Sequence, residues 1–149
     1  FADDTAAFTS SWKLTTIVNR LNLTLKRIVK FCNQWKIKLN ETKTEFIIFT
    51  RRRPDLTNIT LKLENNNIEL KNCVKYLGLN LDQKLTFNEH TKNTIVKTIK
   101  IMKSLFPIYN RRSNLSETNK KLIYKLILTP VITYGCPAWS MTSLSNYNA

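Results

Sequence analysis

From Leu14 to Trp35 apolar side chains recur at alternating steps of four and three: Leu14, Val18, Leu21, Leu25, Ile28, Cys32 and Trp35. A helix puts such positions on one face, so the spacing predicts a single amphipathic helix of about seven turns. Ser10 and Ser11 offer its N-cap, and Lys13, Arg20, Arg27 and Lys30 occupy the other face. A seam this short suits packing on a sheet better than a coiled coil, because strand patterns follow at once.

Thr44 to Thr50, with Phe46, Ile47, Ile48 and Phe49, reads as a buried strand closed by the basic loop Arg51-Arg52-Arg53-Pro54. Ile59 to Leu63 alternates apolar with polar, and Asn65-Asn66-Asn67 supplies turn chemistry. Ile68 to Leu70 and Val74 to Leu81 complete a run of strands. Before the helix, Phe1 to Phe8 suits a β-turn-β element entered partway through its first strand. Beyond Asp82 the pattern becomes helical. Thr86 and Glu89 form a capping box, Ile95, Ile99, Met102 and Phe106 line one face, and Pro107 stops the helix. Ser116 caps a further helix through Leu122, Ile123, Leu126 and Ile127, broken near Pro130, and Val131 to Trp139 suits helix or extended chain. The expected fold class is α+β, with an α+β part over residues 1–85 and a helical part over 86–149.

The chain has 149 residues, with 24 Lys plus Arg against 10 Asp plus Glu, a net charge of +14. With 42% hydrophobic residues it has the material for a core, which excludes disorder throughout. Abundant Lys, Asn and Ile suggest an A/T-rich gene, but such a gene enriches Glu as well, so the shortage of acids needs another cause. Its charge points to a polyanion, nucleic acid first and an anionic membrane surface second. No stretch approaches a membrane-spanning length and the start is acidic, so the chain reads as soluble and intracellular. Cys32, Cys73 and Cys136 are widely spaced, which indicates neither a disulfide framework nor a zinc site. Phe1-Ala2 and the closing residues read as the interior of a longer protein.

Adjacent carboxylates on a tight turn offer a divalent cation hard oxygen ligands, and Asp3-Asp4 has that form; it is equally ordinary turn or helix-entry chemistry. Phe1-Ala2-Asp3-Asp4-Thr5-Ala6 resembles the F/Y-A-D-D box of reverse transcriptases, in the Thr-Ala form common in jockey-type non-LTR retrotransposons. Trp35, Leu39-Asn40, Lys43-Thr44 and the strand Glu45 to Phe49 look like that family's next block. Tyr76-Leu77-Gly78-Leu79-Asn80-Leu81-Asp82 is similar to its Y-L-G hairpin. His90, Leu122, Tyr124, Pro130, Tyr134-Gly135 and Trp139 then follow the order of its thumb-like region.

This resemblance covers nearly the whole chain. It implies the C-terminal part of a polymerase palm, antiparallel strands with a long helix including the Asp-Asp turn and the primer-supporting hairpin, and then an all-helical, truncated thumb-like region. By the same resemblance, Asp3 matches a direct ligand of two catalytic Mg²⁺ ions and Asp4 its less direct neighbour. Phe1 and Ala2 match residues beside the primer end and the incoming nucleotide. Lys43 matches a lysine that serves the departing pyrophosphate, a solvated loop lysine being the plain alternative. Tyr76, Leu77 and Gly78 match the hairpin under the primer terminus, with simple packing as the alternative.

The implied function is RNA-directed DNA polymerisation on an RNA template and DNA primer with deoxynucleoside triphosphates, in an intracellular ribonucleoprotein of nucleus or cytoplasm and without a membrane. Another metal-binding Asp and the basic fingers of the family are absent. Glu41, Glu45, Asp55 and Asp82 do not match the missing carboxylate, so the chain alone is expected to be inactive.

Nine basic residues between Thr86 and Lys125, against Glu89 and Glu117, suit contact with a phosphate backbone. Lys97, Lys100 and Lys103 at steps of three, with Arg111 and Arg112, are the candidates; a solvated helix face is the alternative. Arg51-Arg52-Arg53 reads as a phosphate clamp, a localisation signal or a flexible loop. His90 lacks metal-ligand neighbours and reads as a first-turn helix residue, while Trp35, Tyr134 and Trp139 read as packing, with base stacking open to an exposed ring. The rival function is a non-catalytic basic nucleic-acid-binding module derived from a decayed mobile element. A purely structural helical partner explains the seam but not the charge.

Overall fold

The computed structural model describes residues 4–52, 59–64, 66–110 and 113–140, and its architecture mixes helices with two small sheets. Two compact units divide the chain, Phe1–Leu77 and Gly78–Ala149.

In the first unit the helical periodicity becomes α1, Leu14–Gln34. Lys13 holds the N-cap position without a side-chain cap, and the Ser11 hydroxyl accepts from the Lys13 N–H at 3.3 Å, so the expected serine cap acts two residues upstream. Val18, Leu21, Leu25 and Val29 pack against Leu61, Leu63 and Ile68. Val29 takes the place that the four-three spacing assigns to Ile28, because 3.6 residues per turn drift away from a 3.5 repeat. At the other end Lys36, at φ 56°, turns the chain. Its N–H donates to the Asn33 carbonyl at 3.3 Å and that of Ile37 to Cys32 at 2.8 Å, a Schellman-type end without glycine. Trp35, expected in the seam, therefore caps the helix, 64% exposed, with its ring tilted against Phe31.

Three strands of this unit form one sheet: β1 (Glu45–Phe46), β2 (Leu61–Leu63) and β3 (Asn66–Leu70), in the order β1-β3-β2. β2 runs antiparallel to β3, with Leu61 opposite Ile68, and its Leu61 and Leu63 point into the core at 2% and 3% exposure. Two expectations need correction. The strand Thr44 to Thr50 shrinks to two residues and pairs parallel with β3 rather than antiparallel. Residues 4–11 form no strand, and Phe8 and Trp12 are almost fully exposed; Phe1 to Asp3 lie outside the described residues.

β4 (Cys73–Tyr76) and β5 (Leu79–Asp82) make a two-stranded sheet, and the boundary between the units falls in its turn. The second unit continues with α2 (Asn88–Tyr109), α3 (Glu117–Ile123), a π-helical turn at Tyr124–Leu128, α4 (Thr129–Thr133) and α5 (Cys136–Trp139). Ser116 caps α3 as expected, accepting from the Asn119 N–H. α2 runs on to Tyr109, with Pro107 inside it; Pro107 has no N–H to donate to the carbonyl four residues back, and the helix ends two residues after it. The expected face Ile95, Ile99, Met102 and Phe106 is exposed, and Thr94, Thr98, Ile101 and Leu105, each one residue earlier, are the more buried positions. The line that packs against β5 and α4 is thus not the most apolar one, since it holds two threonines beside Ile101 and Leu105.

Candidate functional site

The hairpin joining β4 to β5 turns in two residues, Leu77 at φ 46° and Gly78 at φ 81°. Two consecutive positive φ values are what a two-residue turn matching the strand twist needs. Glycine meets this freely, whereas Leu77 accepts roughly 1–2 kcal/mol of strain. Gly78 has a second reason to lack a side chain: a Cβ there would lie 2.8 Å from Cε1 of Tyr134 and 3.2 Å from its hydroxyl oxygen. The relation is reciprocal, since a Cβ on Gly135, at φ 65°, would lie 2.5 Å from Cδ2 of Leu79. The sequence contains only two glycines, and both serve this contact.

Asp82, at the end of β5, builds the turn into α2. Its carboxylate accepts from the backbone N–H groups of Lys84 (3.0 Å), Thr86 (3.0 Å) and Phe87 (2.6 Å) and from the Thr86 hydroxyl (3.1 Å). Burial works against its charge, but these donors together hold the carboxyl below its ordinary value. The expected capping box at Thr86 and Glu89 does not form. Phe87, buried at φ 57°, occupies the N-cap position of α2, and Asp82 captures the Thr86 hydroxyl. His90 follows in the first helical turn, buried, its ring 6.0 Å from that of Trp139. Burial lowers its pKa and favours neutral imidazole. Trp139 in turn donates from Nε1 to the Tyr134 carbonyl at 2.9 Å.

Lys43 sits on a single 3₁₀ turn, Glu41–Lys43, organised by Asn40. The Asn40 side-chain oxygen accepts from the Lys43 N–H (3.2 Å) and the Thr42 hydroxyl (2.8 Å), while its carbonyl accepts from the Thr44 hydroxyl (2.8 Å). That is the physical content of the Asn-x-x-Lys-Thr spacing, and it leaves the lysine side chain exposed. The Glu41 carboxylate ties this turn to β3 through the Asn66 side chain.

Asp4 is exposed in irregular chain, and Phe1, Ala2 and Asp3 lie outside the described residues. Among the described residues no three His, Cys, Asp or Glu side chains gather to hold a metal ion. The carboxylates of Asp3 and Asp4 are hard donors of the type Mg²⁺ prefers, but two adjacent groups make only part of a donor set, so they fit the ion incompletely. Arg51 and Arg52 are exposed in a bend, with the Thr50 hydroxyl accepting from the Arg52 N–H; Arg53, Arg111 and Arg112 lie outside the described residues. Lys97, Lys100 and Lys103 are all exposed along α2. No described helix is long and apolar enough to cross a membrane. Asp82 and the Gly78–Tyr134 contact were not marked as site features by the sequence; the scarcity of glycine was their one available signal.

Comparison with curated proteins finds relatives along nearly the whole chain. The chain is 30% identical over 148 residues to a probable RNA-directed DNA polymerase from transposon BS of Drosophila melanogaster, a match covering 99% of the chain and 16% of that protein. It is 32% identical over 115 residues, 77% of the chain and 12% of the relative, to the probable RNA-directed DNA polymerase from the X-element of the same fly. It is 28% identical over 148 residues, 99% of the chain and 16% of the relative, to the RNA-directed DNA polymerase from its mobile element jockey. No family model and no solved structure matches. The chain is thus similar along nearly its whole length to a segment of the RNA-directed DNA polymerases of mobile elements. Its homologues are those of jockey-like and other non-LTR retrotransposons, and it spans about a sixth of the length of the first of them, 16%.

Proposed function

We propose that this chain is the end of the palm and a thumb-like region of a non-LTR retrotransposon reverse transcriptase, which copies RNA into DNA from a primer. The observation that carries this reading is the similarity to such polymerases along 99% of the chain, a span that includes this chain's Asp-Asp, Asn-x-x-Lys-Thr and Tyr-Leu-Gly segments. In the whole enzyme Asp3 and Asp4 would contribute carboxylates toward Mg²⁺, which when bound would supply Lewis-acid chemistry for the primer hydroxyl and the leaving phosphates. Lys43, exposed on its Asn40-capped turn, meets the charge developing on pyrophosphate, and Phe1 and Ala2 flank the primer end. Tyr76, Leu77 and Gly78 carry the primer terminus. Arg51, Arg52, Arg53, Lys97, Lys100, Lys103, Arg111 and Arg112 track the template-primer backbone. The chain by itself lacks the further carboxylate and does not polymerise, and the whole enzyme works in an intracellular ribonucleoprotein.

The test is primer extension on an RNA template by the full reading frame that includes this chain. Asp3→Asn abolishes extension and leaves template-primer affinity within about threefold; full extension by that variant refutes the assignment. A second reading, a non-catalytic basic module, draws support from the exposed lysines of α2 alone. It requires salt-sensitive duplex binding together with a full reading frame that never extends a primer.

A further inference from the structure

The contacts around the β4–β5 turn close into a circuit. β5 ends at Asp82, whose carboxylate gathers the Thr86 and Phe87 N–H groups and so fixes the start of α2. The first turn of α2 presents His90 to Trp139, and the Trp139 indole holds the Tyr134 carbonyl. The Tyr134 ring comes within 2.8 Å of where a Cβ of Gly78 would be, and the Leu79 side chain within 2.5 Å of where a Cβ of Gly135 would be. The chain thus returns to the hairpin tip through a Tyr-Gly pair more than fifty residues downstream.

We infer that Tyr134-Gly135 is a clasp that fixes the tip of the primer-supporting hairpin, making Tyr134 a positioning residue for nucleotide addition. The inference rests on the reverse transcriptase reading above. Three physical points support it. Each glycine is in the left-handed region and has a side chain of the other segment against it, the Tyr134 ring at Gly78 and the Leu79 methyl groups at Gly135, so a Cβ at either position would force that side chain to shift. Leu77 is held in a strained conformation beside Gly78, and strain of this kind persists only where surrounding contacts over-determine it. The clasp is also tied at its far side, since Trp139 both bonds the Tyr134 carbonyl and packs near buried His90. A primer 3′-hydroxyl carried by this tip therefore inherits its rigidity. A displacement of the order of 1 Å at a reacting atom costs up to about 100-fold in rate.

The experiment uses the full reading frame and compares wild type, Tyr134→Ala, Tyr134→Phe, Gly78→Ala and Asp3→Asn in single-nucleotide addition on one RNA template and DNA primer. Dissociation constants for template-primer and thermal melting are measured alongside. Tyr134→Ala and Gly78→Ala are expected to lower kcat by at least about tenfold, with template-primer affinity unchanged within about threefold. Tyr134→Phe restores kcat, because the ring edge supplies the closest approach. The clasp is refuted if Tyr134→Ala and Gly78→Ala both keep wild-type kcat. It is refuted equally if Tyr134→Phe is as impaired as Tyr134→Ala, or if the loss follows the fraction of protein melted at the assay temperature. A wild type that extends no primer, or an Asp3→Asn variant that extends fully, overturns the polymerase reading and the clasp's role with it. A wild type dependent on Asp3 but indifferent to Tyr134 and Gly78 overturns the clasp alone.

Discussion

Replacing Asp82 by alanine should loosen the second unit by about 2 kcal/mol, a figure built from the donors it leaves behind. Two of them, the N–H groups of Thr86 and Phe87, are part-buried at the start of α2 and have the carboxylate as their acceptor at 3.0 and 2.6 Å. Each resembles an absent helix cap, worth about 1 kcal/mol. The Lys84 N–H is exposed and turns to water, so it adds little. Asp82→Asn keeps one acceptor oxygen and loses the charge, and should cost roughly half as much. The assay is urea unfolding of the chain followed by helical circular dichroism and by tryptophan fluorescence. A pH series adds a check of sign. The carboxyl is held below its ordinary value near 3.8, so its contribution is present above that pH and is lost as pH falls through the lowered folded value. Asp82→Asn should flatten this acid dependence. A loss under about 0.5 kcal/mol for Asp82→Ala, or equal acid dependence in wild type and Asp82→Asn, refutes the assignment of Asp82 as organiser of the turn.

In the first unit, Leu61→Ala removes a core side chain that is 2% exposed and should cost about 2–4 kcal/mol in the same urea assay. Lys36→Gly relieves the left-handed residue that ends α1 and should stabilise by up to about 1 kcal/mol, read as a rise in melting temperature. Alanine at Lys97, Lys100 and Lys103 should reduce the slope of log affinity against log salt by about 1 for each phosphate no longer neutralised, in duplex titrations by fluorescence anisotropy; unchanged slopes remove this face from the interface.

The long helix was legible because its signal is dense: an apolar position in every turn from Leu14 to Cys32, with charge opposite. The sheet was legible only where alternation was strict. Leu61 and Leu63 alternate around Lys62 and are buried around an exposed Lys62, whereas the continuous run Phe46 to Phe49 gave a longer strand than forms. A continuous apolar run carries no information about which residues find a pairing partner, and of this segment only Glu45 and Phe46 pair with β3. α2 shows the same limit in a helix. Local pattern favours the line Ile95, Ile99, Met102 and Phe106, yet the line one residue earlier, with Thr94 and Thr98 beside Ile101 and Leu105, is the more buried, because α2 packs on β5 and α4. The 3₁₀ turn under Lys43 depends on a local contact, Asn40 capping it from three residues away, but was not read from the sequence.

The clasp between the hairpin and Tyr134-Gly135 was illegible for the same reason of distance, but it makes a quantitative demand that a local reading would not. Gly135→Ala adds two penalties: roughly 1 kcal/mol for an L-residue at φ 65°, and a collision of its new Cβ with Cδ2 of Leu79, 2.5 Å away. Only the second depends on Leu79. In a Leu79→Ala background the collision disappears, the strain stays, and Gly135→Ala should cost less than it does in wild type. The double-mutant cycle should therefore show a coupling of at least about 1 kcal/mol, with the pair less destabilised than the sum of the singles. Urea unfolding of the four proteins measures it directly. Simple additivity, within about 0.5 kcal/mol, would mean that the two segments do not meet as described, and the structural basis for a positioned hairpin tip would fall with it.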